Sequence, residues 1–315
     1  MADPPASMII PVRMPFGVHV RGQELWITSV ATQRIYVIDE VSSGSFTLRT
    51  ITGRGKLGSE PTPVDASQAA MNWPHEVWVG DGSTHWIADT RNDRIAEVSG
   101  DPPVFRILAG GDDAGFDQPH SVIRLDAHSL LVADTKNHRL CQVHLPDGDV
   151  TRFGGDGRRK RPTPGVRVDQ TSLFGPRALA VSEDAVWLAL REGNSIWRID
   201  RQTKVITLVA GTGEKGYSGD GGDPLQATFN GPKGLCMDSK GRLLVVDTEN
   251  HCVRRIDLVK ETIETVLGGS TEKETLPLKR PHGIAAESSG DGFWVADSEN
   301  HRIIGWQLSH GASSQ

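Results

Sequence analysis

The stretch PHSVIRLDAHSLLVADTKNHRL, residues 119–140, decides the fold, because the chain repeats it. Close copies are PHEVWVGDGSTHWIADTRNDRI at 74–95, PKGLCMDSKGRLLVVDTENHCV at 232–253 and PHGIAAESSGDGFWVADSENHRI at 281–303. Two more divergent copies, PFGVHVRGQELWITSVATQRI at 15–35 and PRALAVSEDAVWLALREGNSI at 176–196, bring the number to six. Each copy reads as short apolar segments separated by turn residues. In the third they are Ser121–Leu125, Leu130–Asp134, Leu140–Leu145 and Val150–Phe153, with no helical period. A unit of four antiparallel strands cannot bury both its faces alone. Stacking it radially against its neighbours covers both.

The expected fold is therefore all-β, a single six-bladed propeller over residues 1–315 with blades starting near 15, 74, 119, 176, 232 and 281. The last copy supplies only three strands, and the spare apolar segment is Met8–Val12. That segment is predicted to complete the last blade as its outer strand, which leaves no blade short.

Composition agrees. The 35 glycines and 18 prolines are scattered along 315 residues, as many short strands and turns require. A net charge of −6 argues against a general nucleic-acid binder. No apolar run is long enough to span a membrane. Met1–Val12 lacks the basic start and long apolar stretch of a signal peptide, so a cytoplasmic location is expected. The three cysteines, Cys141, Cys236 and Cys252, fall in strand segments and read as reduced core residues.

The segments ADTKNHRL, VDTENHCV and ADSENHRI resemble the signature of NHL repeats, and the resemblance covers nearly the whole chain. AGTGEKGYSGDGGDPLQATFNGPKG, from Ala210, resembles the glycine-rich inter-blade loop of bacterial members. The family includes lyases, RNA-binding modules and protein-docking platforms, so the resemblance implies a fold rather than a function. Asp89, Asp134, Asp247 and Asp297, with Asn92, Asn137, Asn250 and Asn300, recur in four blades and are expected to satisfy turn backbone. His138, His251 and His301 follow the same logic. Asp220 and Asp223 offer too few ligands for Ca²⁺.

Function is sought where the blades differ. The segments Thr52–Trp73, Gly154–Gly175 and Gly211–Gly231 each run about twenty residues, beyond ordinary connection length. All belong on one face, where the residue after each blade-initial proline also lies at the mouth of the central channel. In blade order these are Phe16, His75, His120, Arg177, Lys233 and His282. Five of the six are basic or metal-capable, in a protein that is acidic overall.

The Pro-His strand starts resemble those of peptidyl-α-hydroxyglycine α-amidating lyase-like members, whose histidines hold a catalytic zinc on alternating blades. The resemblance implies a divalent metal, zinc first, held by His75, His120 and His282. The fourth blade departs from the pattern by presenting Arg177. The resulting expectation is a metal-assisted lyase or hydrolase of a small, anionic molecule. Phe16, Arg177 and Lys233 would contact the substrate, and Tyr217 or Glu76 would act as base. The competing expectation is a non-enzymatic platform for a protein or RNA partner. It rests on the loop GGDGRRKRPTPGVR with Arg158, Arg159, Lys160, Arg161 and Arg167. Trp73, Trp78 and Trp86 cluster in the second blade, where packing is expected.

Overall fold

The computed structural model describes residues 7–39, 47–59, 62–82, 84–111, 115–269, 276–287 and 292–307. Six antiparallel sheets form a ring, the six-bladed propeller expected from the repeats. Blade three is typical, with strands Pro119–Asp126, Ser129–Asp134, Arg139–His144 and Val150–Gly154 in simple meander order. Blade two gains a fifth, outer strand, Val64–Asp65, from the loop that precedes it. The first strand of each blade packs on the first strand of the next, and blade six returns to blade one.

The core lies between blades. The second strands are covered on both faces and read as unbroken apolar runs, such as AVWLAL (Ala185–Leu190), buried throughout. Between blades three and four, Ile123, Leu131 and Leu140 meet Val186, Leu188 and Trp197, all at most 1% exposed. Outer strands have one covered face and are half exposed.

The ring closes as the sequence suggests, one residue earlier than expected. Ser7–Pro11 pairs antiparallel with Arg302–Gln307, from Ser7 opposite Trp306 to Pro11 opposite Arg302. The Val12 N–H adds a bond to the His301 carbonyl at 2.9 Å. In blade six the regular first strand is short, Ile284–Ala286, although Pro281 marks its approach. His282 and Gly283 still bond the Ala296 backbone at 3.0 and 2.9 Å.

The signature residues work as turn fasteners. In blade two Asp89 accepts from the Asn72 N–H (2.7 Å), Asn92 (2.8 Å) and Arg94 (2.8 Å). Asp134 and Asp297 repeat the set with the Asp117 and Lys279 N–H groups. A second contact occurs in all six blades. Gln33, Asp93, His138, Asn194, His251 and His301 accept from the N–H of residues 73, 118, 175, 231, 280 and 14, in that order. All twelve residues have positive φ, between 41° and 67°. A side-chain acceptor on one blade thus fixes the residue before the next blade's proline, each bond contributing about 1 kcal/mol.

Candidate functional site at the channel mouth

The blade-initial prolines aim the residues that follow them. In blade two Pro74 faces Asp89 and Glu76 faces Ala88, so the ladder passes over His75. His120, Arg177 and Lys233 are passed over in the same way, and blade one skips Phe16 and Gly17. Such a bulge frees one side chain from the sheet and turns it toward the channel. Close approach of the first strands is secured by glycine. A Cβ on Gly234 would lie 2.3 Å from the His282 carbonyl oxygen, and one on Gly283 2.3 Å from that of Phe16.

Phe16, His75, His120, Arg177, Lys233 and His282 line two stacked cavities at once. Outside them is a vestibule of about 260 Å³, which also meets Trp73, Lys136, Arg191, Arg280 and Glu299. Inside is a narrow space of about 40 Å³ that reaches Glu76, room for a few waters only. The ring of six is the constriction between the two.

One side of the ring is aromatic. Phe16 stacks on His282 (centroids 3.9 Å apart) and meets His75 edge-on at 4.8 Å; His75 in turn meets His120 at 4.5 Å. His75 Nδ1 lies 2.8 Å from the Trp73 carbonyl oxygen, and His282 Nδ1 lies 2.9 Å from that of Arg280. A carbonyl only accepts, so each Nδ1 carries the proton and Nε2 is left as the basic nitrogen. Burial holds both imidazoles well below their ordinary pKa, reinforced by Arg177 at His75 and by Lys233 and Arg177 at His282. Both are neutral at physiological pH.

The other side is cationic. Lys233 donates to Glu249 at 2.8 Å, yet burial and then Arg177 draw its pKa down to about 8. Burial works to raise Glu249, but hydrogen bonds from Arg280 and Lys233 prevail and hold it at about 2. Arg177 is 8% exposed. Burial and then Arg191 lower its pKa to about 9, against Glu192 and Glu76, so it stays charged at neutral pH. Among the described residues its guanidinium makes no hydrogen bond and no ion pair. Other buried arginines are paired, Arg94 with Asp89 at 2.8 Å and Arg254 with Asp220 at 2.7 Å.

The three histidines expected to hold a metal all reach the ring, but they do not fit one. Phe16 stands against both His75 and His282. Among the described residues, no group of three His, Cys, Asp or Glu is placed to bind a metal ion. Arg177 and Lys233 add positive charge where a divalent cation would sit, and repulsion opposes it. The likeness to amidating-lyase-like members therefore ends at the Pro-His pairs.

Of the two expected bases, Glu76 lies at the site and Tyr217 does not. Glu76 faces the narrow space, where enclosure raises its carboxyl to about 7 against the pull of Ser121 and Arg177. The Tyr217 hydroxyl bonds Thr265 at 3.0 Å on the outer strand of blade five, and Arg254 lies over its ring at 5.4 Å. The aromatic of the glycine-rich loop is a packing residue. Asp220 and Asp223 in that loop are committed to Arg254 and to the Leu225 N–H. The tryptophans divide: Trp86 is buried and donates to Glu97 at 3.0 Å, Trp78 packs edge-on against His19, and Trp73 lines the vestibule beneath Arg91.

A second layer of charge escaped the sequence reading. The variable residue of the Asp-Thr/Ser-x-Asn signature is Arg91, Lys136, Glu249 or Glu299 in the four intact blades. Lys136 and Glu299 line the vestibule, Glu249 holds Lys233, and Arg91 covers Trp73. Its variability within a fixed frame was the available signal. The basic loop is partly self-neutralised, with Arg167 on Asp169 (3.1 Å), Arg158 near Asp156 (3.6 Å) and Arg161 on the Gly211 carbonyl (3.2 Å). No helix among the described residues is long and apolar enough to cross a membrane. The three cysteines are free thiols, Cys141 and Cys252 buried.

Comparison with known proteins supports the architecture. The NHL repeat family model matches residues 229–256 and 278–306. Human NHL repeat-containing protein 2 is 31% identical over 125 residues, 33% of this chain but only 17% of that protein. A structure of a protein of unknown function from Bacteroides thetaiotaomicron aligns with TM-score 0.68 at 13% identity, over 95% of this chain and 70% of that one. Virginiamycin B lyase from Staphylococcus aureus aligns with TM-score 0.55 at 15% identity, over 97% and 89%. At such identities the structural likeness speaks for the fold alone. With the repeated signature, the fastened turns and the closed ring of six sheets, the chain belongs to the NHL-repeat six-bladed β-propellers.

Proposed function

We propose that the vestibule binds the anionic group of a small molecule and processes that molecule by acid–base chemistry with no metal held by the ring histidines. The observation that carries this reading is Arg177, a buried guanidinium at the ring with no hydrogen-bond partner among the described residues. A buried charge left unpaired is costly, and a carboxylate or phosphate in the vestibule supplies the missing acceptors. Lys233 lies on the same side of the ring. Neutral His75 and His282 keep basic Nε2 atoms at the ring itself, and Glu76, with a pKa near neutrality, lies just inside the constriction, within reach of the vestibule only through water. A lyase acting on an anionic substrate uses these parts: the cations hold the charge, and a ring imidazole, or Glu76 acting through water, takes the proton. That a lyase of similar fold exists in Staphylococcus aureus is consistent with a working site on such a propeller.

The test is thermal denaturation with a panel of small carboxylates and phosphates, followed by turnover assays on any that bind. A ligand at one hundred times its Kd stabilises by about 2.7 kcal/mol. Arg177→Ala should abolish the shift while leaving the fold intact. An anion that stabilises wild type and Arg177→Ala equally would place binding elsewhere and overturn this reading.

A further inference from the structure

Beside the vestibule, sharing Lys136 with it, is a second pocket of about 410 Å³ under the basic loop. Lys136, Arg139, Arg152 and Arg159 line it together with His138, and among the described residues Asp156 is the one carboxylate on its wall. Asp156 is already engaged, by the Arg158 N–H (2.9 Å) and by Ser172 (3.1 Å). Arg139 is shared with Asp134, whereas the one hydrogen bond of Arg152 among the described residues is to the Gly155 carbonyl, at 3.4 Å. The pocket therefore carries an excess of positive charge in an acidic protein.

His138 supplies an independent observation. It is 6% exposed, and its Nδ1 accepts from the Gly175 N–H at 3.1 Å, so the proton of the neutral ring sits on Nε2. That Nε2–H is buried and has no acceptor among the described residues. Burial, and then Arg159, keeps the ring neutral against the opposing pull of Glu192 and Asp117. The inter-blade contact needs only the Nδ1 acceptor, since Asn194 makes the same contact to Gly231 in the next blade. The second nitrogen of His138 is thus a surplus donor, on a residue lining a pocket rich in cations.

We propose that this side pocket binds a phosphoryl group, with His138 Nε2–H donating to it and Arg152, Arg159 and Lys136 neutralising its charge. A tetrahedral oxyanion accepts from several donors at once and suits such a set. The group comes either as free phosphate or as one end of a ligand whose other anionic end reaches Arg177. The side pocket does not depend on the reading of the vestibule.

The experiment is calorimetric titration with inorganic phosphate and with ω-phosphonoalkanoates of increasing chain length, against wild type and three variants. His138→Asn copies Asn194, keeps the acceptor for Gly175 and deletes the donor. Arg152→Ala with Arg159→Ala removes exposed charge, so it carries the test should the first variant fail to fold. Arg177→Ala reports on the vestibule. Phosphate affinity about tenfold weaker in His138→Asn and in the double variant, unchanged in Arg177→Ala, assigns the pocket to free phosphate. A phosphonoalkanoate weakened by all three variants assigns it to one end of the vestibule's ligand. Binding of neither probe, or binding indifferent to both side-pocket variants, overturns the proposal even if Arg177→Ala still abolishes anion binding at the ring.

Discussion

Blades two and four solve the same turn in opposite ways. In blade two Asp89 is fully buried and gathers the Asn72 backbone, Asn92 and Arg94, itself 1% exposed. In blade four the equivalent pair is Leu190 and Ser195, both fully buried, with Ser195 donating to the Gly193 carbonyl at 2.8 Å and accepting from Trp197 at 2.9 Å. Yet both blades keep the contact to the next blade, through Asp93 and Asn194. The propeller depends on that inter-blade acceptor and treats the charged hub as one of several interchangeable fillings. At the channel the same two blades differ again, His75 and Glu76 against Arg177 and Ala178. Frame and function therefore vary separately.

The largest effect should come from breaking the hub by half. Asp89→Ala leaves Arg94 buried without its carboxylate and should cost about 3–5 kcal/mol in denaturant unfolding. The pair Asp89→Leu with Arg94→Ser, which imports the filling of blade four, should recover more than half of that loss. If the double variant is no better than the single one, the two fillings are not interchangeable and the comparison fails.

Next in size is the pH response of Glu76, whose counterpart in blade four is the uncharged Ala178. Its folded pKa of about 7 lies above its ordinary 4.5, so between these values the folded state holds more protons than the unfolded one. Stability contributed by this group is present below pH 4.5 and is lost as pH rises through about 7, to a total of up to about 3 kcal/mol. His75 and His282 push the other way below pH 6.5, because their folded values are depressed. The measurement is therefore the difference between wild type and Glu76→Gln, which should shrink the wild-type deficit as pH falls from 8 to 4.5. A difference flat with pH would mean that Glu76 is not titrating near neutrality.

Smallest, and opposite in sign to most substitutions, is Arg177→His, which gives blade four the ring residue of blade two. Removing an unpaired buried charge should raise the stability of the ligand-free protein by about 1 kcal/mol, seen as a higher denaturation midpoint. A loss of stability would show that the guanidinium has a structural partner and would sharpen the search for it.

The blade frame was legible because proline and the apolar runs repeat together, with the Asp-Thr/Ser-x-Asn turn in four blades, and strand edges fell within a residue or two in blade three. The six ring residues were legible too, since each follows a blade-initial proline. What the sequence could not show was their mutual arrangement. That the ring of Phe16 meets His75 edge-on and stacks on His282 is a fact of packing between blades, the second contact crossing the closure of the ring between residues far apart in the chain. The zinc expectation rested on the three histidines alone and took no account of that packing. Tyr217 was open to either reading for a related reason: a loop aromatic and a channel aromatic look alike until the partner, Thr265, is known. The surplus donor of His138 was hidden because its repeat-mates His251 and His301 make the same Nδ1 contact from exposed positions.

The seam between Ser7–Pro11 and Arg302–Gln307 has a mechanical consequence. Because the pair is antiparallel with Ser7 opposite Trp306, the chain leaves both strands at the same end of the ladder. Tension applied through the two ends would load these hydrogen bonds one after another and peel the seam open like a zipper. A parallel closure would have shared the load along its whole length. The closure that leaves no blade short is thus built to part at low force when drawn by its ends, beginning at Ser7 and Trp306 and reaching Pro11 and Arg302 last.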